Sequence, residues 1–101
     1  MAGQRTYCGV YNDRWCGMTH HGHIVRDAWV FEIISETETC EGWNLARIEN
    51  LSERVRAQWD KHGLLVSRLP PELRERHTRI YEAAVLRAKA AGWDPELAED
   101  D

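Results

Sequence analysis

At 101 residues the chain has room for one small domain, and its 43% hydrophobic and 30% charged content describes a sequence that folds rather than a disordered one. Its apolar runs, such as Ala28 to Phe31, fall far short of the ~20 residues of a membrane span, and no apolar block near Met1 resembles a signal peptide. With a net charge of −4 and three cysteines, an odd and sparse set for a disulfide scaffold, the expected setting is the cytoplasm with reduced thiols.

Thr6-Tyr7-Cys8-Gly9-Val10-Tyr11 is rich in aromatic and β-branched residues, and Asn12-Asp13 is turn chemistry, so the first element reads as a strand entering a hairpin. A turn centred on Asn12 would set Cys8 opposite Cys16. The run from Ile24 to Ile34 fits two templates. Its branched and aromatic content suits a strand, which we prefer; Val25, Trp29 and Ile33 step by four, which suits a helix at about 24–35. Glu36, Glu38 and Glu41 make the following connector acidic.

The stretch from Asn44 to His62 predicts a helix. Ile48, Leu51, Val55 and Trp59 share one stripe, Asn44 is a cap and Gly63 a stop. A second helix follows Leu69-Pro70-Pro71-Glu72, with Leu73, His77, Ile80, Tyr81, Ala84, Ala88 and Ala91 on one face and Gly92 as terminator. The expected fold is therefore α+β: a small antiparallel β-sheet from the N-terminal half packed on a C-terminal antiparallel helical hairpin, with an all-α fold as the alternative. Residues 1–92 form the domain, and 93–101 form an acidic tail.

Cys8, Cys16, His20, His21 and His23 are the densest group of donor side chains. Thiolates and imidazoles suit zinc, and Cys8, Cys16, His21 and His23 are the candidate ligands, although the closely spaced cysteine pair that anchors most structural zinc sites is absent. The bland reading makes the histidines an exposed loop and the cysteines small core fillers, with no cofactor. Cys16-Gly17 with His20 or His21 contains the residue types of a thiol enzyme, but no strand-to-helix elbow or orienting carboxylate accompanies them.

Between 43 and 92 ten basic residues face six acidic ones, a net of +4 that raises nucleic acid as a partner. Arg54, Arg56, Arg74, Arg76, Arg79 and Arg87 nevertheless alternate with glutamates at helical spacing, the pattern of a solvated face. A protein partner, or self-association, is the leading expectation, making the chain a small accessory or regulatory protein. Ala83, Leu86, Ala90 and Trp93 form a second apolar stripe on the last helix, about 140° to 180° around from much of the core stripe. Either the expected sheet covers it or a protein partner does.

Overall fold

The computed structural model describes residues 6–14 and 18–93, and these form three helices. Helix α1 spans His20–Val30, α2 spans Leu45–Asp60 and α3 spans Pro71–Ala90, with a single 3-10 turn at Val66–Arg68 before α3. None of the helices is long and apolar enough to cross a membrane. The acidic residues expected to form a tail, 94–101, lie outside the described residues, as does Cys16.

The α+β expectation is corrected: among the described residues there is no sheet, only one isolated antiparallel bridge between Thr6 and Asn44. Residues 6–10 do run alongside 39–44. Tyr7 N–H donates to Trp43 O at 2.8 Å, Gly42 N–H returns to Tyr7 O at 2.8 Å, and Val10 N–H reaches Thr39 O at 3.1 Å. Gly9 stops this pairing from growing into a ladder, because its φ of +96° turns the chain into the bend closed by Asn12 N–H on Gly9 O.

The run that the strand reading claimed is the central helix. Thr19 caps α1 by accepting from Gly22 N–H at 3.1 Å, and every residue from Ile24 to Val30 is buried. A helix buried on all sides shows no polar face, so its period is blurred and its sequence reads like a buried strand. The correction extends to the helical hairpin. Helices α2 and α3 both pack chiefly on α1, which lies between them, rather than on each other.

Ile48, Leu51 and Val55 from α2 and Ile80 from α3 meet Ile24, Val25, Ala28 and Trp29 in one core, closed by Tyr7, Val10 and Cys40 from the flanking segments. Asn44 caps α2 as its sequence implies, its side chain accepting from Arg47 N–H at 2.8 Å, and Pro71 opens α3 at the first helical position.

All three helices end in the same hydrogen-bonded motif. In α2 the Leu64 N–H reaches back to Trp59 O, and in α3 Trp93 N–H reaches Ala88 O, each around a glycine of positive φ, Gly63 and Gly92. In α1 the corresponding bond is Ile33 N–H to Ala28 O, yet the left-handed position is Glu32, at φ +56°. Arg76 of α3 stabilises that ending from outside: it donates to Val30 O at 2.8 Å and pairs with Glu32 at 2.7 Å. A cation on the last carbonyls of α1 also suits the negative end of the helix dipole.

Candidate functional site

Two features stand out against this frame: a buried carboxylate where the three helices meet, and an uncovered apolar face on α3. The carboxylate is Asp27, only 3% exposed in the middle of α1. Its Oδ2 accepts from Trp59 Nε1 of α2 at 3.1 Å and pairs with His23 Nε2, one turn earlier, at 3.2 Å. The Tyr81 hydroxyl of α3 donates to Oδ1 and also lies 3.1 Å from His23 Nδ1. His77 stacks on the Tyr81 ring with centroids 4.4 Å apart and meets Trp59 edge-on.

Burial pushes the Asp27 carboxyl up, but hydrogen bonds from His23, Tyr81 and Trp59 outweigh it and hold the group below the usual carboxylate range. Tyr81 is driven well above an ordinary phenol by its burial and by the neighbouring Asp27 charge. Burial lowers His77, and nearby His23 lowers it further against the opposing pull of Asp27. A cleft of about 430 Å³ opens beside this cluster, with His20, His23, Arg56, His77 and the apolar Leu64 and Val66 on its walls. The donors His23, Trp59 and Tyr81 come from α1, α2 and α3, so the carboxylate joins the three helices at one point.

Among the described residues the zinc candidates do not converge. Cys8 is exposed; Cys16, and with it the expected pairing of the two, lies outside the described residues. His21 and His23 leave α1 in different directions, His21 with its ring 5.7 Å from Tyr7 and His23 toward Asp27 and Tyr81. Among the described residues no group of three or more His, Cys, Asp or Glu side chains is arranged to hold a metal ion.

Several of the arginines behind the nucleic-acid alternative are engaged within the chain. Arg76 holds Glu32 and Val30 O, Arg79 makes a two-pronged pair with Glu36 at 2.9 Å, and Arg87 lies over the Tyr11 ring.

Of the predicted stripe, Ala83, Leu86 and Ala90 lie on α3, with Leu86 opposite the buried Ala84 and Ala88, and Trp93 follows beyond the end of the helix at Gly92. The sheet expected to cover it does not exist among the described residues. Leu86 is 69% exposed, Ala90 is exposed, and Ala83 and Trp93 are half-buried. The shallow apolar surface beside Leu86 is lined, among the described residues, by Thr78, Tyr81, Glu82 and Val85, all from α3. A second apolar patch, Leu64, Leu65 and Val66, lies in the connection between α2 and α3.

Sequence reasoning missed Asp27 and its donors. The signal was present in the spacing of His23 and Asp27, which meets on one face only if the segment is a helix, and in a carboxylate set inside an otherwise apolar run. Comparison of the chain with protein-family models, with curated proteins and with solved structures gives no match.

Proposed function

We propose that this chain is a small accessory or regulatory protein that acts by binding another protein molecule, through the outward face of α3 centred on Leu86. One observation carries the reading: a leucine 69% exposed in the middle of a regular helix, with Ala83 and Ala90 a turn to either side and, among the described residues, an adjoining apolar surface lined by α3 alone. Fully burying a leucine contributes roughly 1.5–3 kcal/mol, so an exposed one on a rigid helix is a ready anchor. The Leu64 to Val66 patch ranks second because it sits in a connection and partly walls the cleft beside Asp27. We place the protein in the cytoplasm on the odd and sparse cysteine set of its sequence.

The test is Leu86→Asp. An exposed side chain tolerates the change, so the variant keeps its helical circular dichroism and melts within about 2 °C of the parent under dilute conditions. Association with partner protein, measured by capture on the immobilised chain, is lost. A variant that unfolds would make the stripe part of the core, and a folded variant that retains all association would remove α3 as the binding face.

A further inference from the structure

We infer that the protein bound on this face is a second copy of the same chain, docked antiparallel, α3 on α3, about a two-fold axis at Leu86. The inference rests on the α3 face being a binding surface and names its occupant. A two-fold interface uses one patch twice, so the patch must complement itself when its direction is reversed. The outward face of α3 meets that requirement residue by residue.

Around the helix, at 100° per residue, Ala83 and Ala90 lie ~60° and ~40° to one side of Leu86, and Glu82 and Lys89 lie ~40° and ~60° to the other. The two-fold reverses the direction of the helix but keeps each flank on its own side. On the first flank Ala83 therefore meets the partner's Ala90, and two small residues let the backbones approach. On the second flank Glu82 meets the partner's Lys89, and Lys89 meets the partner's Glu82, with their positions along the axis matching to ~1.5 Å. Both are exposed, and neither has an ion-pair partner at salt-bridge distance among the described residues.

On the axis Leu86 meets its own symmetry mate, the one apolar side chain that the monomer leaves most open. Three pairings, Leu86 with itself, Ala83 with Ala90 and Glu82 with Lys89, share one two-fold axis. Opposite charges at two-fold-related positions are the complementarity that an isologous contact uses.

The charge pairs provide the test. Sedimentation velocity of the full chain between about 1 and 200 μM should show a monomer–dimer equilibrium, and Leu86→Asp should abolish the dimer. Glu82→Lys alone sets two lysines against each other at both ends of the interface and should weaken dimerisation tenfold or more, with a steep dependence on salt. The double variant Glu82→Lys with Lys89→Glu restores opposite charges across the axis, and its dimer should return to within about threefold of the parent. A double variant as weak as the single one overturns this register, as does a dimer that survives Leu86→Asp. A parent chain that stays monomeric throughout overturns self-association, while a folded Leu86→Asp variant that still loses heterologous capture would leave the α3 binding face standing.

Discussion

Replacing Asp27 with alanine removes one acceptor on which all three helices converge. The Tyr81 hydroxyl and the Trp59 indole N–H then lose their partner, and His23 loses the carboxylate one turn away. A donor left unsatisfied in a protein interior costs about 1–3 kcal/mol. Tyr81 and Trp59 are half-buried rather than sealed, and the adjoining cleft admits water, so the lower part of that range applies to each. The expected loss is about 2–4 kcal/mol, a large part of the 5–15 available to a domain of this size, and it should lower the melting temperature by roughly 10–25 °C. Asp27→Asn keeps the shape and one acceptor oxygen and should lose about half as much.

Urea titration followed by tryptophan fluorescence reads both values, and Trp59 reports directly on the site. The pH dependence adds an independent check. The folded carboxyl titrates below its unfolded value of about 3.9, so its contribution is complete above that pH and disappears as pH falls through the folded value. The parent should therefore lose this increment in acid, and Asp27→Asn should not. An Asp27→Ala variant within about 0.5 kcal/mol of the parent at pH 7 would refute the claim that this carboxylate joins the helices.

His77 is held below its ordinary range by burial and by His23, so folding favours its neutral form; its contribution is present above the unfolded value of about 6.5 and declines as pH falls toward the folded one. His77→Phe, which keeps a ring against Tyr81 and Trp59, should flatten that part of the stability profile, and an unchanged slope in melts between pH 7 and 5 would count against the assignment. The two glycines of the N-terminal pairing should respond differently to alanine. Gly9→Ala meets both the strain of φ +96° and the Glu41 Cβ at 3.1 Å, whereas Gly42→Ala meets only the strain of φ +83° with open space around it. Thermal melts should place Gly42→Ala about 1 kcal/mol below the parent and Gly9→Ala clearly below that, and the reverse order would contradict the local geometry.

The sequence by itself determined those elements whose signals are local. Helix α2 carries its stripe, its Asn44 cap and its Gly63 stop within its own residues, and α3 has Pro71 at one end and Gly92 at the other. The outward position of Leu86 was legible for the same reason, since periodicity alone separates it from the buried Ile80 and Ala84.

What only the tertiary structure decided was α1 and everything that depends on it. Its residues from Ile24 to Val30 are buried on every side, so no polar face marks a helical period, and its end is formed by Glu32 in a position that glycine usually announces. That ending is stabilised by Arg76, forty-four residues away in sequence, and no local pattern in either segment reports the contact. The Asp27 cluster was hidden for the same reason. Its donors come from three helices, and they become neighbours only once α1 lies between α2 and α3, an arrangement fixed by burial of apolar surface and not by any spacing along the chain.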